Sequence, residues 1–153
     1  MADVHAVSEK WSKAALSIHS DSLSPDDIGS ELGLTATRSH TKGSQRRVQS
    51  WGLWKDSYWG FSSPLGDHRD MANHLVWLLD TLEPKVETLN QLSRSCRIVF
   101  FCGFSSDNGQ GGFTLESAVL ARLAKLGVAF VLDLYPPESE INEKFDADGA
   151  LCK

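Results

Sequence analysis

The sequence predicts an α+β fold: helices packed on one face of a mixed β-sheet, in the order βαββαβαβ and ferredoxin-like in flavour. Three observations carry this. Arg97 to Cys102, the glycine-rich Gly103 to Gly112, Phe113 to Gly127 and Val128 to Tyr135 read as buried strand, loop, amphipathic helix and buried strand. Leu16 to Leu34 repeats that plan with a helix four residues, about one turn, shorter. Between the two units lies a long helical stripe, Met71, Leu75, Leu78, Leu79 and Leu82. Runs that alternate strand and helix and return to the same sheet require parallel, right-handed crossovers.

In chain order, residues 1–12 are expected to be a disordered terminus, with one domain over 13–136 and an acidic, mobile tail over 137–153. In Ala14 to His19 the apolar Ala14, Leu16 and Ile18 fall on one face and Ser17 and His19 on the other, the pattern of a half-buried strand. Ser24-Pro25-Asp26-Asp27 supplies a cap, a first-turn proline and first-turn acids. Ile28 and Leu32 give that helix its apolar stripe, and Gly33 stops it. Leu34 to Thr41 reads as extended, Lys42-Gly43-Ser44 as a turn, and Val48 to Lys55 as a strand. Residues 57–67, with Gly60, Pro64 and Gly66, read as a loop exposing Tyr58, Trp59 and Phe61. Asp67 or Asp70 caps the long helix, and Pro84 ends or kinks it before the pattern resumes at Val86, Leu89 and Leu92 to about Ser93. Thr114 is placed to cap the last helix, whose stripe is Leu115, Val119, Leu120, Leu123 and Leu126, with Gly127 in a left-handed stop.

At 153 residues the chain can bury a core without staples. An apolar content of 41% and a charged content of 23% are those of an ordinary globular protein, and no run approaches a membrane span. Cys96, Cys102 and Cys152 make neither a C-x-x-C pair nor an even framework, which points to a reduced, cytoplasmic protein. The net charge is −5, yet Leu32 to Lys55 holds no acid, while Asp133 to Asp148 is acidic. Duplex nucleic acid is disfavoured as a partner, because such binders carry a basic excess over a whole face. A compact anion at the basic stretch fits better.

Five spaced blocks stand in order: Leu23-Ser-Pro-Asp-Asp-Ile-Gly-Ser-Glu-Leu-Gly33, Thr37-Arg-Ser-His-Thr-Lys-Gly43, Trp51-Gly-Leu-Trp54, His74-Leu-Val-Trp-Leu-Leu-Asp-Thr-Leu-Glu-Pro84, and Leu126-Gly127 through Asp133-Leu-Tyr135. In this order they resemble the domain-of-unknown-function 4279 family. Together they cover roughly residues 14–135. The resemblance implies a small, mostly bacterial, intracellular domain and brings no catalytic residues.

Candidate chemistry must therefore come from the residues themselves. Arg38, His40 and Lys42 alternate, so an extended segment sets them on one face at ~7 Å intervals, suited to a phosphate or carboxylate. Arg46 and Arg47 could close such a site, and Trp51 or Trp54 could offer it a flat surface. The plainer reading is a solvated strand face. Asp133 interrupts an apolar strand, on the side of Ala129, Val131 and Tyr135. It needs a partner, for which the basic stretch is a natural source; it could serve as an acid/base group or only as a strand-end hydrogen-bonding group. Gly103 to Gly112 lacks both the G-K-[ST] ending and the G-x-G-x-x-G spacing of phosphate loops, so a flexible loop is the plainer reading. His5, His19, His40, His68 and His74 lack metal spacing, and no cofactor is expected. Cys102 reads as an inert core thiol and Trp77 as packing.

The expected function is a non-enzymatic binding module for a protein partner or small anion, using Arg38, His40, Lys42, Arg46, Arg47, Trp51, Trp54, Asp133 and Tyr135. One version is an immunity-type inhibitor whose acidic Glu138 to Asp148 mimics nucleic acid. The alternative is a small-molecule enzyme that uses Asp133 with Arg38 and His40.

Overall fold

In the computed structural model, residues 10–106 and 109–136 are described. The expected terminal segment before Lys10 and the acidic tail lie outside them. Five strands, β1 (Lys10–Ser20), β2 (Arg38–His40), β3 (Ser57–Ser62), β4 (Cys96–Ser106) and β5 (Ala129–Leu134), form one sheet in the order β2-β3-β1-β4-β5. β1 pairs antiparallel with β3 and with β4, β2 pairs antiparallel with β3, and β5 is parallel to β4. The sheet is mixed and the fold is α+β.

The helices are α1 (Pro25–Leu32), α2 (Met71–Leu82), α3 (Val86–Leu92) and α4 (Ser117–Leu126). Each strand–helix–strand connection moves either left from a strand pointing up or right from a strand pointing down. One handedness therefore sends all the helices to one face. That face holds the core. Leu16, Ile18, Trp59 and Phe100 from the sheet pack with Ile28, Leu32, Leu75, Leu78, Leu79 and Leu123 from the helices. Trp59, Phe61 and Trp77 stack in a row at centroid spacings of 5.9 and 5.7 Å.

Local sequence accounts for the helix ends. Ser24 accepts the Asp27 amide and Asp27 accepts the Ser24 amide, so a reciprocal capping box starts α1. Gly33 (φ 65°) and Gly127 (φ 74°) close α1 and α4 in the left-handed conformation that a side chain would disfavour. Pro84 sits in the 3₁₀ turn Glu83–Lys85 that divides α2 from α3.

Several expectations need correction. The strand is Ser57–Ser62, where a loop was expected, and Val48 to Lys55 holds a 3₁₀ turn (Gln49–Trp51) with one isolated bridge, Gln45 to Leu53. The apolar character of Val48 and Leu53 suggested burial, yet both are exposed, while Trp59 is 1% exposed. The N-cap position of α4 is Glu116, with no side-chain cap bond, instead of Thr114, and Leu120 is half exposed. Finally, β1 begins at Lys10, so Trp11 and Ser12 belong to the sheet.

Candidate functional site

Period-two alternation puts every second strand residue on the face away from the helices. On β1 these are Trp11, Lys13, Ala15, Ser17 and His19. Their partners across the ladders are Ser62, Gly60 and Tyr58 on β3, and Gly103, Phe101, Val99 and Arg97 on β4. The edge strands add Arg38 and His40 on one side, and Ala129, Val131 and Asp133 on the other. Among the described residues no helix covers this face.

The centre of the open face is paved with small residues, Ala15, Ser17, Gly60, Ser62 and Gly103, and rings lie over the glycines. A Cβ on Gly103 would sit 3.0 Å from the Tyr135 ring and 3.2 Å from the Trp11 ring, whose centroids are 5.0 Å apart. A Cβ on Gly60 would collide with the Tyr58 phenol, which hydrogen-bonds Ser17 Oγ at 3.3 Å. The rings stand as walls around a groove of about 630 Å³ floored by Ala15 and reached by Arg38, Lys13 and Phe101.

At the end of the groove near Ser63 and Asp67, the α2 residue His74 is 1% exposed. Its Nδ1 lies 2.9 Å from Ser63 Oγ, and among the described residues its Nε2 has no hydrogen-bond partner. Burial holds this imidazole below its ordinary pKa of 6.5, although the Arg69 backbone and the Asp67 charge act the other way, so it stays neutral. Lys13 Nζ stands 3.7 Å from the Asp67 carboxylate, with both side chains largely exposed.

The basic stretch forms a second cluster, at the β2 edge of the same face. His40 stacks on Trp54 at 3.6 Å and beside Tyr58 at 5.3 Å, and the Arg46 guanidinium lies 4.4 Å from the Trp54 centroid. Asp56 serves both histidines, 2.8 Å from His19 Nδ1 and 3.7 Å from His40 Nε2. These stacks fold the long β2–β3 connection back against the sheet. Lys42 lies past the end of β2, and its Nζ is 3.7 Å from the Asp21 carboxylate. Arg47 is exposed, and Trp51 sits half-buried in the 3₁₀ turn.

Asp133 and Tyr135 are on the same open face as Arg38 and His40, but at the opposite edge. Four strand spacings of about 4.8 Å separate the two edge strands, ~19 Å in all. The basic partner expected for Asp133 gives way to Tyr135, two residues on. Burial, and then the hydrogen bond and charge of Asp133, push the Tyr135 phenol up to about 12.

Reading the sequence missed Trp11, Tyr58, Gly60, Gly103, His19 and Asp56 as site residues. The signal for Trp11 was present: the alternation of Ser12, Ala14, Leu16 and Ile18 continues upstream of Ala14, and the odd-numbered row follows it. Cys102 lies on the helix face, fully buried, and desolvation raises its thiol to about 12. Among the described residues no group of three or more His, Cys, Asp or Glu side chains is arranged to hold a metal, and no helix is long and apolar enough to cross a membrane.

Comparison with known families gives one result. The pattern of the family described as Domain of unknown function (DUF4279) matches residues 9–137, and the chain belongs to that family. No curated protein and no solved structure matches it.

Proposed function

We propose that this DUF4279 domain is a binding module that holds a small, flat, anionic molecule in the groove of its open sheet face. The observation that carries the reading is the floor of Ala15, Ser17 and Gly103 between the Trp11–Tyr135 pair and Tyr58. Side chains of ordinary size there would fill the groove. Its volume is in the range of small-molecule sites. The rings offer flat apolar surface, Arg38 and Lys13 supply positive charge, and the buried imidazole of His74 offers a polar contact at the end. An acid/base role for Asp133 with Arg38 or His40 draws no support from residues on opposite edges of the sheet. The inhibitor reading depends on Glu138 to Asp148, outside the described residues.

The test is titration of the full chain with anilinonaphthalene sulfonate, a flat aromatic anion. Saturable binding is expected, and Ala15→Glu, which fills the floor and adds a negative charge, should reduce it at least tenfold with unchanged far-UV circular dichroism. Equal binding by a folded Ala15→Glu variant would remove the groove from consideration.

A further inference from the structure

The other unusual surface is β5. Among the described residues it is the outer strand of the sheet on its side. Edge strands are ordinarily guarded by lysine, proline or a bulge. The run Ala129-Phe-Val-Leu-Asp-Leu134 has no lysine or proline, and its ladder with β4 runs in unbroken one-to-one register. It is apolar on both sides: Phe130, Leu132 and Leu134 are 39%, 39% and 69% exposed on the helix side, and Val131 is 38% exposed on the open side. Leu120 on α4 adds further exposed apolar surface on the helix side.

The direction of its backbone groups follows from one bond. The Tyr135 amide donates to the Phe104 carbonyl at 2.9 Å, so Tyr135 faces β4. By alternation Asp133 and Val131 face β4 as well, while the amides and carbonyls of Phe130, Leu132 and Leu134 point outward.

We infer that β5 is the contact strand of a two-fold symmetric dimer, in which it pairs antiparallel with β5 of a second copy and makes one continuous sheet. The argument is self-complementarity. A two-fold axis through Leu132 sets Leu132 opposite itself and Phe130 opposite Leu134. All the outward-facing residues then fall in hydrogen-bonded pairs, which exchange both N–H···O bonds. The same register sets Val131 opposite Asp133 and keeps the two acids from meeting. Shifting the axis to Asp133 would bring like charges face to face, and shifting it to Val131 would leave Leu134 unpaired. The chain's own continuation is a poorer occupant. After Pro136-Pro137 it carries Glu138, Glu140 and Glu143, which would place acids against the apolar rows.

The test is sedimentation velocity of the full chain over a wide concentration range. A mass of two chains is expected, falling to one for Leu132→Lys, whose charges would meet on the axis; far-UV circular dichroism of the variant should match the parent. In a Cys152→Ser background, Leu132→Cys should oxidise to a covalent dimer, while Val131→Cys, displaced from its counterpart, should not. A monomer at every concentration, a dimer that survives Leu132→Lys, or cross-linking through Val131→Cys instead would each overturn the assignment.

Discussion

The two faces of the sheet are made by the same strands and share one alternation, yet they are built on opposite principles. Toward the helices, β1 and β4 present Leu16, Ile18, Phe100 and Cys102, all fully buried. Away from them, the same strands present Ala15, Ser17, Gly103 and the half-exposed Trp11 and Phe101. The first face is filled to exclude water, while the second is emptied at its centre and ringed by aromatic and charged groups. The contrast teaches that small residues on a sheet face are informative when their neighbours are large, because they create room where a stable core would close it.

The sharpest way to break the comparison is to truncate neighbouring phenylalanines on opposite faces. Phe100→Ala should cost about 3–5 kcal/mol in urea unfolding, as a large core deletion leaves a cavity. Phe101→Ala, which removes a side chain already 38% exposed, should cost about 1 kcal/mol. Equal costs would mean that both faces are closed.

A smaller effect tests the groove end in acid. The folded chain keeps His74 neutral because its pKa is lowered, whereas the unfolded chain protonates near the ordinary 6.5. The contribution is therefore fully present above pH 6.5 and is lost as pH falls below it. Urea midpoints of the parent should drop between about pH 7 and 5 more steeply than those of His74→Gln. Parallel slopes would place His74 in water.

The smallest effect is spectroscopic and reports the opposite rim. Tyr58 and Tyr135 are the two tyrosines. In alkaline titration followed by phenolate absorbance, the Tyr135 step should come near pH 12 and vanish in Tyr135→Phe. Since the unfolded phenol ionises near pH 10, the stability this group contributes is present below that value and is lost as pH rises toward 12. A Tyr135 step near pH 10 would mean that its ring is not held against Gly103.

Much of the architecture was legible because local signals agreed with one another. The Ser24-Pro25 start, the Gly33 and Gly127 stops and the break at Pro84 are each written in a few adjacent residues. β3 was illegible for a physical reason. Tyr58 and Trp59 are both aromatic but face opposite sides, so hydrophobicity shows no alternation, and Gly60 resembles a turn residue. In the fold, Gly60 is where the Tyr58 ring lies flat. The β2 cluster misled in the other direction: Leu53 and Trp54 have the apolar character of a strand, but their pairing is confined to one isolated bridge, Gln45 to Leu53, and two backbone bonds linking Trp54 to Gly43 and Ser44, while the Trp54 ring is held by stacking on His40. Of the candidate site, the shared face of Arg38, His40, Asp133 and Tyr135 could be read from alternation, but the distance between its edges could not, because strand order is set by pairings remote in sequence.

Those remote pairings have a kinetic consequence. β1 lies at the middle of the sheet, with Leu16 opposite Phe61 on one side and Phe100 on the other. Among the described strands it leaves the ribosome first, yet neither neighbour exists until much of the chain has followed. Its apolar row must wait unsheltered, and the loops closed when it docks are long. Such a topology folds slowly for its size, and the nascent chain is most vulnerable to aggregation before β4 emerges.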